Sequence, residues 1–88
     1  MQKKLSCFAN ITRLKLILCL AKGEKNVSEL IKNCHLSQSA VSQHLEKMRG
    51  GALVSTRKEG KEVYYSLLDK KTAQVSKQLL LLIGEKTL

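Results

Sequence analysis

The stretch LSQSAVSQHLEKMRG, residues 36–50, decides the fold of this chain. Val41, Leu45 and Met48 recur at i, i+4 and i+7 with Ala40 beside them, the spacing of a helix that buries one face. Ser37 stands where an N-cap hydroxyl belongs. The other face carries Gln38, Ser39, Ser42, Gln43 and Glu46. A helix that merely needed solubility would carry Lys and Glu there, so uncharged hydrogen-bonding side chains point to a face built to touch something.

Upstream, NVSE at 26–29 has the capping-box pattern, in which the Asn26 side chain accepts from the Glu29 amide while Glu29 reaches back. It predicts a short helix over about 27–33, with Leu30 and Ile31 as its buried edge, and the turn NCHL leads from it to Ser37. Two earlier helices are expected. One covers residues 1–9, with Leu5, Phe8 and Ala9 as an apolar edge; the other covers about 12–21, capped by Asn10 or Thr12, with Leu14, Ile17, Leu18 and Ala21 on one face and a stop at Gly23. After Gly50-Gly51 the pattern turns extended. Two β-rich arms, about 53–57 and 62–67, flank a charged tip containing Gly60, the signature of a hairpin. From Asp69 as N-cap a last helix runs to Gly84, apolar nearly all round at LLLLI, 79–83. This order, α-α-α-α-β-β-α, is mainly α with a β-hairpin wing: a winged helix-turn-helix occupying residues 1–88 as a single domain.

Composition agrees. Aromatics are 3% of the 88 residues, so the core must be aliphatic, and a chain this short buries little surface alone, which favours a partner subunit. Sixteen Lys plus Arg against seven Asp plus Glu give a net charge of +9, whose natural counterpart is a polyanion. The longest apolar runs, LILCLA and LLLLI, are far too short to span a bilayer. Three cysteines without a CxxC pair, and no secretory leader pattern, predict a reduced, cytoplasmic setting.

In a winged helix-turn-helix the second helix of the motif enters the major groove, where Gln and Ser can exchange hydrogen bonds with base edges without the desolvation cost of a full charge. Gln38, Ser39, Ser42 and Gln43 are the expected readers. His44 is placed near the groove-facing side for a phosphate or base contact, and Lys47, Arg49, Arg57, Lys58 and Lys61 surround the face to neutralise phosphates. The expected partner is double-stranded DNA, with no membrane, cofactor or small-molecule substrate. The alternative is a protein-interaction module that antagonises another regulator by mixed dimerisation; acidic residues on the polar face or wing would have favoured it.

The segments FANITRLKLILCLAKGE (8–24), LSQSAVSQHLEKMRGGALV (36–54) and TRKEGKEVYYSL (56–67) resemble the ArsR/SmtB family of bacterial winged-helix regulators. The resemblance implies a homodimer on an inverted-repeat operator, commonly a repressor, paired through the first and last helices. Those helices hold Leu5 and Phe8, and Val75, Leu79, Leu80, Leu82 and Ile83; the last five present more apolar surface than one small domain can cover. Departures are specific. Soft-metal sensors of the family carry ELCVCDL where this chain has EKNVSEL (24–30), so Asn26 and Ser28 replace the thiols. Zinc-sensing members use Asp and His on the last helix, where residues 69–88 offer only Asp69 and Glu85 as acids and no His. A third branch resembles redox sensors with one Cys on the second helix and one on the last; Cys19 sits near the first position and the last helix has none. Gly50-Gly51-Ala52 also stands where the family has a single glycine nearer the strand. No metal site is expected.

Adjacent Cys34 and His35 lack a third group for catalysis, so a structural role is expected and no enzyme activity. Cys7 and Cys19 are expected as small core or interface residues, and they are also the chain's candidate redox switch. Cys19 is the better candidate because it shares a helix stripe with Lys15 and Lys22, whose charge favours the thiolate. Whether Cys7 comes close enough to pair with it is not set by spacing.

Overall fold

The computed structural model describes residues 2–34 and 36–84, so His35, Met1 and Glu85 lie outside the described residues. The elements follow in the order α1 (Gln2–Cys7), α2 (Ile11–Ala21), β1 (Lys25–Asn26), α3 (Val27–Cys34), α4 (Gln38–Gly50), β2 (Val54–Glu59), β3 (Glu62–Leu67) and α5 (Lys71–Leu82). The winged helix-turn-helix architecture is as expected, with one added strand.

Local rules account for most element ends. Asn10 caps α2, its side chain accepting from the Arg13 amide at 3.2 Å. The capping box closes in both directions, Glu29 N–H to Asn26 Oδ1 at 2.8 Å and Asn26 N–H to Glu29 Oε1 at 3.0 Å. Ser37 Oγ accepts from the Ala40 amide at 3.2 Å and opens α4. The last helix begins at Lys71, one residue later than an Asp69 cap would start it. Asp69 still serves it, its carboxylate accepting from the Lys71 amide at 2.9 Å and its carbonyl from the Thr72 hydroxyl at 2.7 Å.

The hairpin is longer than the apolar pattern indicates, because β2 carries its pairing through Arg57 and Lys58 to Glu59, opposite Glu62. Backbone ladders form whether side chains are apolar or charged. A two-residue turn closes it, and Gly60 supplies the φ of +61° that a primed turn demands at its first position. The strand that was not expected, β1, adds to the other side of β3 with Lys25 opposite Tyr65 and Asn26 opposite Tyr64, giving the antiparallel order β1-β3-β2. Two residues are too few to show alternation.

The core lies around α2. Its single apolar face, expected from Leu14, Ile17, Leu18 and Ala21, proves too narrow: Arg13, Leu14, Leu16, Ile17, Cys19 and Leu20 are all buried, while Leu18 is half-exposed. The reason is position, since α5 packs on one side of α2 while α3, α4 and β3 pack on others. Leu30 of α3, Val41, Leu45 and Met48 of α4, and Leu53 and Val54 entering β2 complete the cluster. Burying each such aliphatic side chain contributes roughly 1.5–3 kcal/mol. Leu80, expected at a subunit interface, is instead fully buried within the chain, where α5 meets α2.

The junction after α4 explains the Gly-Gly-Ala run. Leu53 N–H donates to Met48 O and Ala52 N–H to Arg49 O, both at 3.0 Å, the paired bonds of a Schellman motif, with the buried side chains of Leu53 and Met48 behind it. The left-handed residue of that motif is Ala52, at φ +60°, where glycine is usual. Gly51 has a different task. A Cβ there would lie 2.8 Å from Cys7 Sγ and 3.0 Å from Lys3 O, so its lack of a side chain lets α1 seat against the end of α4.

Two substitutions test this junction. Ala52→Gly should stabilise by about 0.5–1 kcal/mol, the left-handed penalty removed less the added unfolded-state entropy, raising Tm by roughly 2–8 °C. Gly51→Ala should destabilise by about 1–3 kcal/mol through overpacking. Thermal melts of both variants are the check, and equal Tm values would contradict the assignment.

Candidate nucleic-acid interface

Helix α4 sorts its residues by face as its sequence demands. With Val41, Leu45 and Met48 buried, Gln38, Ser39, Ser42, Gln43 and Lys47 are all exposed, a stripe of hydrogen-bonding groups with a cation at its end. The wing places Lys58 and Lys61 in solvent at the hairpin end, and neither has an acidic partner among the described residues.

Two expected phosphate contacts are engaged otherwise. Arg49 forms a forked pair with Glu46 three residues earlier, at 2.7 and 2.9 Å from Nη2. Arg57 donates through Nε and Nη2 to both carboxylate oxygens of Glu24, at 3.0 and 2.7 Å, and through Nη1 to Glu59. Its guanidinium also lies 4.8 Å from the centre of the Tyr64 ring, its cross-strand partner. Hydrogen bonding to Arg57 holds the Glu24 carboxyl below the usual carboxylate range, and Arg49 does the same for Glu46. Both pairs are therefore intact at neutral pH and release only in acid, as pH falls through the lowered carboxyl pKa. Being surface pairs, they matter less for stability than for charge and orientation. Glu24 ties the wing to the segment entering β1, and 33 residues separate it from Arg57, so no local pattern could have revealed it.

His44 is half-buried rather than part of the open stripe, and the reason is a residue the sequence reading passed over. Arg13 interrupts the apolar run of α2 and is only 7% exposed. It donates from Nε to Cys7 O at 3.1 Å and from Nη2 to Ser6 O at 3.0 Å, closing the end of α1, while Nη1 lies 3.3 Å from His44 Nδ1. A charged residue on the buried side of an apolar helix was the available signal.

Cys7 and Cys19 are both buried, as small core residues were expected to be. What differs is the neighbour of Cys19: against the expectation of unpaired, reduced thiols, its sulfur meets that of Cys34 where α2 packs on α3, with Cα atoms 7.3 Å apart. Cys7 is not its partner. The Cys7 thiol is fully buried at the α1–α4 contact, 3.2 Å from Lys3 O and 3.5 Å from Lys47 O. Burial raises its pKa, against the opposing charges of Arg13 and Lys47, so it stays a protonated donor and a poor nucleophile.

On α5 and α1 the expected interface residues divide. Leu5 is 69% exposed, Leu82 81%, Val75 47% and Ile83 53%, and Phe8 and Leu79 are half-buried along a groove with Ile11 and Leu14, whereas Leu80 is enclosed. Leu81 is also exposed, at 55%, on a different side of α5 from Val75 and Leu82. Among the described residues no group of three or more His, Cys, Asp and Glu could hold a metal ion, and no helix is long and apolar enough to cross a membrane.

Comparison with known proteins adds relatives to this geometry. Residues 10–56 match the pattern described as "bacterial regulatory protein, arsR family". The transcriptional activator HlyU of Vibrio cholerae is 46% identical over 72% of this chain and 58% of its own length. The transcriptional repressor PagR of Bacillus anthracis is 42% identical over 85% of this chain and 76% of its own. The crystal structure of NolR from Sinorhizobium fredii superposes with a TM-score of 0.79 at 38% identity, over 97% of this chain and 85% of that one. The chain spans only 51–64% of the length of several curated relatives, HlyU among them.

The cysteine arrangement is directly measurable. Under oxidising conditions peptide mapping should find Cys19 linked to Cys34, with Cys7 alkylated only after unfolding. A Cys7–Cys19 linkage, or rapid labelling of Cys7 in the native protein, would contradict these positions.

Proposed function

Because the chain belongs to the arsR family of bacterial regulatory proteins, we propose that it is a sequence-specific DNA-binding transcriptional regulator, acting as a homodimer on an inverted-repeat operator. The observation that carries this reading is the exposed stripe of Gln38, Ser39, Ser42 and Gln43 on a helix whose opposite face is locked into the core. Such a helix offers neutral donors and acceptors to base edges at a fixed angle, and bidentate Gln contacts discriminate adenine. Lys47, Lys58 and Lys61 then neutralise phosphates, three from each protomer, and set the register. The sign of regulation proposed is repression, the role named for PagR.

Dimerisation on the apolar face of α1 and α5 is supported by the exposure of Leu5, Val75, Leu82 and Ile83, side chains that a second copy would remove from water. Two-fold symmetry then places the two reading helices on successive half-sites.

With six phosphates neutralised, log affinity for a selected inverted-repeat duplex should fall with log salt at a slope near about −5. Gln38→Ala or Gln43→Ala should cost roughly 1–3 kcal/mol on the preferred duplex and less on random DNA, whereas Lys58→Ala should weaken both alike. Fluorescence anisotropy titrations measure all of these. A flat salt dependence, or equal affinity for selected and random duplexes, would sink the reading.

Leu82→Glu should yield monomers in sedimentation and abolish operator binding. Since Leu82 is 81% exposed, the protomer core is spared. A dimeric variant would move the interface elsewhere.

A further inference from the structure

We propose that Arg13 is a positioning residue for DNA binding: it fixes His44 in the Nε2–H tautomer, so that α4 offers a neutral imidazole donor to a phosphate oxygen at the edge of its reading face. This rests on the DNA-binding reading above and adds to it a residue outside the helix-turn-helix.

Arg13 is a buried cation with no carboxylate partner among the described residues. Two of its three nitrogens donate to the Ser6 and Cys7 carbonyls, and the third, Nη1, faces His44 Nδ1 at 3.3 Å. A guanidinium can only donate. Nδ1 must therefore accept, which leaves the ring proton on Nε2, the tautomer logic by which one imidazole nitrogen is set by the bond the other makes. No partner for Nε2 occurs among the described residues.

The charges around the ring act the same way. Arg13 of α2 and Lys47, three residues along α4, are both cations, and Cys7 of α1, beside the same two cations, is a neutral thiol. Burial first, then Arg13 and Lys47, hold the His44 pKa below its ordinary value. Protonation would set N–H against N–H and charge against charge. The sign for folding follows: unfolded His44 takes a proton below about pH 6.5 and folded His44 resists it, so stability rises as pH climbs through that value.

The contact is assigned to phosphate because of where His44 sits. On α4 it shares a flank with Ala40 and Lys47, between the buried face and the stripe of Gln38, Ser39, Ser42 and Gln43 that meets base edges. A donor on that flank, beside a lysine, faces the sugar-phosphate wall of a groove, and an uncharged donor anchors register without adding to the salt dependence.

The test joins a spectrum to two substitutions. Ring ¹⁵N shifts of His44 in the wild-type protein should report the neutral Nε2–H tautomer at both pH 7.5 and pH 6.0. His44→Leu should weaken operator binding by about tenfold, the loss of one charge-assisted hydrogen bond. His44→Gln should hold within about threefold of wild type, its carbonyl accepting from Arg13 and its amide donating outward. Arg13→Met should give mixed tautomers and affinity that recovers toward pH 6.0 as the ring charges. If that variant does not fold, the two His44 variants and the wild-type spectrum decide. An Nδ1–H or charged ring in the wild type, or His44→Leu binding as tightly as wild type, overturns the proposal and leaves the DNA-binding reading standing. A wild type that shows no preference for any duplex overturns both.

Discussion

Everything in this fold is referred to helix α2. It is buried on more of its circumference than one apolar stripe would allow, because α5 covers one side while α3, α4 and β3 cover others. A small, aliphatic chain has few ways to make a core, and enclosing one helix among the rest is an economical one. The consequence is that α4, α3 and the wing are all indexed to a common rigid axis. The proposed reading of bases by α4 would need such a reference, since side chains misplaced by an ångström lose their hydrogen-bond geometry.

Enclosure also constrains what α2 may carry. A charged residue there has to be satisfied by hydrogen bonds, and Arg13 is satisfied by carbonyls of α1 and by an imidazole of α4. One side chain thus joins the element that precedes it to the helix proposed to read DNA. Gly51 supplies the matching steric condition, letting α1 approach the end of α4, with the Cys7 thiol filling the contact. The cost appears at the next residue, where Ala52 takes the left-handed conformation that the Schellman motif requires.

The net charge of +9 is less evenly available than the sequence suggests. Arg49 and Arg57 are held by Glu46, Glu24 and Glu59, whereas Lys47 on α4 and Lys58 and Lys61 on the wing are exposed and have no carboxylate partner among the described residues. The two kinds of cation suit different work. A forked guanidinium between carboxylates fixes the orientation of a wing, while a lysine on a flexible stem can follow a phosphate.

The sequence by itself determined what local physics governs. The i, i+4, i+7 spacing of Val41, Leu45 and Met48, the capping box at Asn26 and Glu29, the Ser37 cap and Gly60 in the turn all act within a few residues, and each emerged where it was expected. From them came the element order and the polar face of α4. Tertiary structure alone decided the β1–β3 pairing, the inward placement of Leu80, the meeting of Cys19 with Cys34 and the bonds from Arg13 to His44 and from Arg57 to Glu24. Except for Leu80, these join residues 15 to 40 positions apart. Periodicity says that a residue lies on an apolar face and nothing about which neighbour covers it. Leu79, Leu80, Leu82 and Ile83 look alike along the chain, and only the docking of α5 on α2 separates the one that fills the core from those that stay wholly or partly in solvent.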